Sequence, residues 1–85
     1  MATLIWKAQM RYGSPGDEAA FFNWLQAIPG VVNVSGVGTE LHIRFRSKRL
    51  STPALRELFA LYDRYDGDTT ELVIFRSAAN AAWFD

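Results

Sequence analysis

Residues 31–45 read VVNVSGVGTELHIRF, and this stretch decides the fold. In its second half the apolar residues Leu41, Ile43 and Phe45 alternate with polar ones, which predicts a strand with one buried face. In its first half, residues 31–35 are rich in β-branched valine and predict a second strand. Glycines in residues 36–38 supply a turn, so the whole stretch predicts a β-hairpin. The face opposite the core carries Glu40, His42, Arg44 and Arg46.

A strand and a helix precede this hairpin. Apolar residues alternate with mostly polar ones from Leu4 to Tyr12, which predicts a first strand. Ser14 can cap a helix that has Pro15 at its first position and acidic residues in its first turn. Residues 29–30, Pro-Gly, predict the end of that helix.

A helix, a strand and a tail follow the hairpin. The cap-then-proline pair at residues 52–53 opens the second helix, and apolar residues at helical spacing continue it to Tyr65. Residues 66–68, Asp-Gly-Asp, end it. Residues 71–76 predict a fourth strand, and residues 77–85 form an alanine-rich tail that ends in Trp83, Phe84 and Asp85.

The element order βαββαβ predicts a single α+β domain spanning residues 1–85. Each crossover contains a helix, which is typical of right-handed connections between parallel strands. The compact arrangement of these elements is a ferredoxin-like two-layer sandwich, with a four-stranded antiparallel sheet in the order 4-1-3-2. Two helices cover one face of that sheet, and a short tail helix follows.

The composition narrows the classes of function. The 85 residues contain nine Lys plus Arg and nine Asp plus Glu. The net charge therefore gives no overall attraction to nucleic acid or to an anionic membrane. The absence of cysteine excludes thiolate metal sites and cysteine nucleophiles. No apolar stretch approaches the length that crosses a bilayer, and no secretion signal is visible, so we expect a cytoplasmic protein.

Residues 25–45 resemble the passage from helix to hairpin in heavy-metal-associated domains and ACT-type regulatory domains. The shared features are a helix that ends in a Pro-Gly-Val turn and two alternating strands after it. The resemblance implies the βαββαβ fold. Metal-associated domains hold their metal with two cysteines in the loop after the first strand, where this chain has Tyr12 and Pro15. Residues 55–65 and 80–84 resemble the closing part of small bacterial proteins of unassigned function.

Few residues are candidates for catalysis or for binding a metal ion or phosphate. His42 is the only histidine, with Glu40 as its one candidate partner on the same strand face, and we interpret it as a surface residue. The acids between Asp63 and Glu71 lack the spacing of a calcium loop and predict a solvated turn. Residues 36–39 lack the full phosphate-loop signature and predict a hairpin turn. We therefore expect no catalytic residue, no metal ion and no cofactor.

The expected function is binding. We predict a small protein-interaction or regulatory module whose partner is another protein or a second copy of the chain. One alternative is an ACT-like sensor of a small ligand near residues 13–16, and another is a weak nucleic-acid binder that uses the basic sheet face. Exposed apolar clusters usually contact another apolar group, and here the tail rings, a second copy or another protein are candidates. We expect Trp83 and Phe84 to be ordered and to pack on apolar surface of the sheet or, if the tail cannot reach the sheet, against the helices. The predicted interaction surface consists of Ile5, Lys7, Arg11, His42, Arg44, Arg46, Val73, Phe75, Trp83 and Phe84.

Overall fold

The computed structural model describes residues 1–7 and 11–84. These residues form a mixed α+β fold, as the sequence predicts. In chain order the elements are β1 (Ala2–Trp6), α1 (Pro15–Ala27), β2 (Val31–Val37), β3 (Glu40–Phe45), α2 (Thr52–Arg64), a first 3₁₀ helix (Thr69–Phe75) and a second 3₁₀ helix (Ala81–Trp83).

The described strands form an antiparallel sheet in the order β1-β3-β2. The hairpin prediction is confirmed, although β2 continues to Val37 and the turn is therefore Gly38-Thr39. Gly38 has a φ of 62°, a left-handed conformation that glycine adopts without a steric penalty. The register between β2 and β3 shifts between Val31 and Asn33, which leaves Val32 as an irregularity in the outer strand.

The first strand is shorter in the described residues than its alternation predicts. β1 ends at Trp6, and Arg11 and Tyr12 belong to no strand. Residues 8–10, which the prediction also assigned to this strand, lie outside the described residues. Ala2, Leu4 and Trp6 face the core, so the predicted inward face is correct where it is described.

A serine side chain caps the N-terminus of each α-helix. The Oγ atom of Ser14 accepts a hydrogen bond from the Asp17 N–H at 3.2 Å, as predicted. In α2 the Oγ atom of Ser51 accepts from the Ala54 N–H at 3.2 Å, so the capping residue is Ser51 and not the threonine that follows it. Each helix has a proline in its first turn, where a missing N–H costs nothing.

The predicted fourth strand is wrong, because residues 69–75 form the first 3₁₀ helix. Asp68 begins it, with its Oδ1 atom accepting from the Thr70 N–H at 3.0 Å. Leu72 and Phe75 are buried three residues apart, which matches the period of three of a 3₁₀ helix and not the period of two of a strand. This 3₁₀ helix packs beside β1, where the sequence predicts strand 4. The described sheet therefore has three strands, and only the 1-3-2 part of the predicted order 4-1-3-2 is observed.

One apolar core lies between the sheet and the helices. Every buried residue in the described part of the chain is hydrophobic. Aromatic rings dominate its centre: Trp6 stacks on Tyr62 with 3.8 Å between ring centroids, and Phe21 meets the edge of Trp6 at 5.4 Å. Phe45 and Phe75 form a second edge-to-face pair at 4.8 Å. Edge-to-face and offset stacking are the favourable arrangements of buried rings, so these contacts fix how the helices sit on the sheet.

Candidate interaction surface

The sheet has one face that the helices do not cover, and we call it the open face. Strand alternation places on it the outward side chains of all three strands: Thr3, Ile5, Asn33, Ser35, Val37, Glu40, His42 and Arg44. Ile43 and Phe45 point the other way and are fully buried, while Leu41 is half-buried against the core. The predicted division of β3 into a core face and a polar face is therefore confirmed.

Pairing between β1 and β3 brings together several residues of the predicted surface. Ile5 lies directly opposite His42, and Thr3 lies opposite Arg44. Lys7 and Arg46 follow the ends of the two strands, and both are exposed. The open face thus carries a half-buried apolar centre with cations around it. Arg11 is also exposed, but residues 8–10 separate it from β1 and no described pairing places it on this face.

His42 and Glu40 form a surface pair. The Nε2 atom of His42 lies 3.3 Å from Oε1 of Glu40, which is the partner that the sequence predicts. Within residues 1–7 and 11–84, no group of three or more acidic or histidine side chains could hold a metal ion. The pair is therefore an isolated contact on the central strand of the open face.

Phe75 does not belong to this surface. The first 3₁₀ helix turns its ring inward against Phe45, and Phe75 is 2% exposed. The predicted exposure of Phe75 is wrong because it assumed a strand, in which Val73 and Phe75 share a face. Val73 is 52% exposed and lines a groove of about 270 Å³ with Ile5 and Lys7 of the β1 end. Val73 is therefore accessible next to the open face.

Trp83 and Phe84 pack on α2 and not on the open face. Their ring centroids lie 5.6 Å and 5.4 Å from that of Phe59, and the guanidinium of Arg56 lies over the Trp83 ring at 5.9 Å. The sequence predicts ordered rings that cover apolar surface, and it gives the helices as the alternative location if the tail cannot reach the sheet. In the structure the rings lie against a helix, as in this alternative, because the second 3₁₀ helix turns the chain back soon after Phe75.

The tail also borders an open pocket of about 310 Å³. Its walls are the rings of Phe59, Trp83 and Phe84 and the side chain of Val73. Polar groups of Thr69, Thr70 and Arg76 complete the lining. Nothing in the sequence pattern indicates this pocket, because residues from three separate elements form it.

The Asp17 side chain, in the first turn of α1, holds the loop that precedes this helix. Oδ2 of Asp17 accepts from the Gly13 N–H at 2.8 Å, and Oδ1 accepts from the hydroxyl of Tyr65 at 2.9 Å. These two hydrogen bonds lower the pKa of the Asp17 carboxyl below its ordinary value. Burial, and then the bond to Asp17, raise the pKa of Tyr65. One donor of the loop at residues 13–16, the Gly13 N–H, is therefore already engaged by this carboxylate.

Charges are divided between the two ends of the sheet. Four cations lie where β3 ends and α2 begins: Arg44, Arg46, Lys48 and Arg49. Most acids lie at the opposite end, around the start of α1, the end of α2 and the start of β3: Asp17, Glu18, Glu40, Asp63, Asp66, Asp68 and Glu71. Three cations share that acidic end: Lys7, Arg11 and Arg64. The zero net charge of the chain therefore conceals a basic end and an acidic end.

Glu71 connects three elements at the acidic end, a role that its sequence position does not reveal. Its Oε2 atom accepts from the Lys7 N–H at 3.2 Å, and Oε1 accepts from the Tyr62 hydroxyl at 3.0 Å. Burial and the nearby carboxylate raise the pKa of Tyr62, which stays neutral. One carboxylate thus joins β1, α2 and the first 3₁₀ helix.

Comparison of the chain with family models, with curated proteins and with solved structures gives no match. Neither α-helix in the described part of the chain is long and apolar enough to cross a membrane. The features of the described residues that bear on function are the open face, the pocket and the distribution of charge.

Proposed function

We propose that this chain is a non-catalytic protein-interaction module that binds a partner protein through its open face. The observation that carries the proposal is the uncovered side of the sheet, where apolar Ile5 lies beside His42 and exposed cations lie at the margins. Protein interfaces commonly have an apolar centre and a polar rim. The order β1-β3-β2, with the first 3₁₀ helix beside β1, supports a ferredoxin-like arrangement without its fourth strand.

The charge of the open face defines the partner's chemistry. Lys7, Arg44 and Arg46 are exposed at its margins, and Glu40, which contacts His42, is the one acid among the strand residues of this face. A partner of complementary charge presents carboxylates around a small apolar contact, and such complementarity controls specificity and association rate. The partner is therefore a protein with an acidic binding surface.

Site-specific cross-linking tests this proposal. A photoreactive amino acid replaces Thr3 on the open face or, as a control, exposed Asn23 on α1. We expect one protein to be cross-linked from position 3 and not from position 23. That protein, once purified, should bind the Arg44→Glu variant at least about tenfold more weakly than the wild type, since reversing a charge at an interface changes affinity by this order.

Arg56→Glu is the matched charge reversal, because Arg56 lies on α2 against the tail. It should bind the purified partner as the wild type does. Equal cross-linking from both positions, or equal affinity of the Arg44→Glu variant, contradicts the proposal. Retention of single-stranded RNA that disappears with added salt would instead support the nucleic-acid alternative.

A second function, the binding of a small ligand, is favoured by the pocket under the tail. Its volume of about 310 Å³ suits a small molecule, and three aromatic rings form most of its walls. The ligand class that fits is a flat aromatic molecule, because such a molecule can stack on these rings. Titration with indole should shift the indole N–H resonance of Trp83, and cyclohexanol, which has no aromatic ring, should not. Equal shifts with both compounds, or none, contradict this function.

A further inference from the structure

The outer edge of β2 is the second surface that the described residues leave without a partner. β2 is the last strand of the order β1-β3-β2, so alternate backbone N–H and C=O groups along residues 31–37 point away from the sheet. Two of its valines are among the most exposed large apolar residues: Val32 at 48% and Val37 at 52%. An edge with these properties is a template for another strand.

The sequence of β2 contains none of the charges that normally protect such an edge. Its seven residues, VVNVSGV, include no lysine, no acid and no proline. The only interruption is the register shift at Val32, near one end. The stretch from Asn33 to Val37 therefore remains regular and neutral.

The charge distribution indicates that the second strand comes from another copy of this chain. At one end β2 lies beside Glu40 of the acidic end, and at the other it lies beside Arg44 of the basic end. If two copies join their β2 edges around a two-fold axis, the strands run antiparallel and each acidic end lies alongside the partner's basic end. The same edge thus has a complementary surface in its own copy.

We propose that this protein forms a homodimer in which two β2 edges pair antiparallel around Val34, the middle residue of the strand, so that the whole length of each β2 is paired and the sheet has six continuous strands. In this register Asn33 of each copy lies opposite Ser35 of the other, with both side chains on the open face. The open face itself remains accessible, because the two sheets join in one plane. The dimer therefore does not depend on the partner protein proposed above.

Two matched double variants test the pairing and its register. Asn33→Glu/Ser35→Glu places like charges opposite each other across the two-fold axis, and like charges directly opposite are destabilising. Asn33→Glu/Ser35→Lys places opposite charges there at the same two positions. Within one chain, position 33 lies opposite Arg44, so the glutamate that both variants carry at position 33 has a cation beside it. Circular dichroism verifies that both variants fold.

The measurement is the mass of the purified chain in sedimentation equilibrium, without any partner. We expect the wild type and the Glu/Lys variant to approach twice the 9.6 kDa of one chain at concentrations up to about 0.5 mM, because small interfaces associate weakly. The Glu/Glu variant should remain at the mass of one chain. A monomeric wild type overturns the proposal, and dimers in both variants show that the interface lies elsewhere. A monomeric Glu/Lys variant overturns the register.

Discussion

Gly67→Ala is the substitution for which the structure gives the clearest quantitative expectation. A Cβ atom at Gly67 would lie 2.5 Å from Cδ2 of Tyr62 and 2.7 Å from Cζ2 of Trp6. Ordinary van der Waals contact begins near 3.4 Å, so the Tyr62 ring must withdraw by about 0.9 Å. Neither ring has free space, because both are fully buried and stacked on each other. The loop is also tethered, since the Gly67 N–H donates to the Tyr62 carbonyl at 2.7 Å.

Overpacking of a core typically costs 1–3 kcal/mol, and the involvement of two rings places this variant near about 3 kcal/mol. A small domain has only about 5–15 kcal/mol of stability, so the loss is large. The melting temperature should fall by about 12–24 °C, at roughly 4–8 °C per kcal/mol for a domain of this size. Urea unfolding, followed by tryptophan fluorescence, measures the free energy of unfolding directly.

Gly16→Ala is the control for this experiment. Gly16 lies in the first turn of α1, where an added Cβ atom would meet only the Ser14 hydroxyl at 3.7 Å. Alanine is favoured over glycine in a helix by about 0.5–1 kcal/mol, so this variant should equal or exceed the wild type in stability. If both variants unfold at the same urea concentration, the reasoning about the Trp6–Tyr62 stack is refuted.

Three further outcomes are expected. Phe45→Ala should lower the free energy of unfolding by about 3–5 kcal/mol, because the fully buried Phe45 ring contacts a second ring. Arg44→Ala, at an exposed position, should change the free energy of unfolding little. Equal urea midpoints for the two variants would contradict this expectation. Glu71→Ala should cost about 1–3 kcal/mol because it leaves a buried tyrosine hydroxyl without its acceptor, and Glu71→Gln, which keeps an acceptor oxygen, should cost less; the reverse ranking in thermal melts would refute the role of this carboxylate. The pKa of Asp17 is lowered in the folded state, so its ionised carboxylate stabilises the fold. This contribution to the free energy of unfolding is present above about pH 4 and is lost as the pH falls through the lowered pKa. The difference in melting temperature between wild type and Asp17→Asn should therefore shrink below pH 4, and a pH-independent difference would argue against it.

Local sequence signals account for the elements that were predicted correctly. The alternation around Ile43 requires one buried face, and a slip of one residue would expose that whole face, so β3 has the predicted orientation. Ser14 and Pro15 supply a capping oxygen and a suitable φ angle within adjacent residues, so they determine where α1 begins. The polar residues of the open face follow from the same alternation.

The tertiary structure decided what the local pattern left ambiguous. Residues 71–76 have the composition of a strand, but burial of Leu72 and Phe75 and the bonds that Glu71 accepts favour a 3₁₀ helix. Strand propensity depends on cross-strand neighbours, and the neighbours of this segment are a strand edge and the Tyr62 hydroxyl of α2.

The tail and the division of charge also depend on tertiary contacts. Trp83 lies against Phe59, more than twenty residues earlier in the chain, and no periodicity within either segment selects that contact. The basic and acidic ends exist because the folded chain brings the start of α1 and the end of α2 together, as the bond from Tyr65 to Asp17 shows. The sequence by itself determined which side chains of the hairpin are apolar or charged on each face. Only packing determined which distant segments those faces meet, because contact energy between segments depends on their positions in space and not on their separation along the chain.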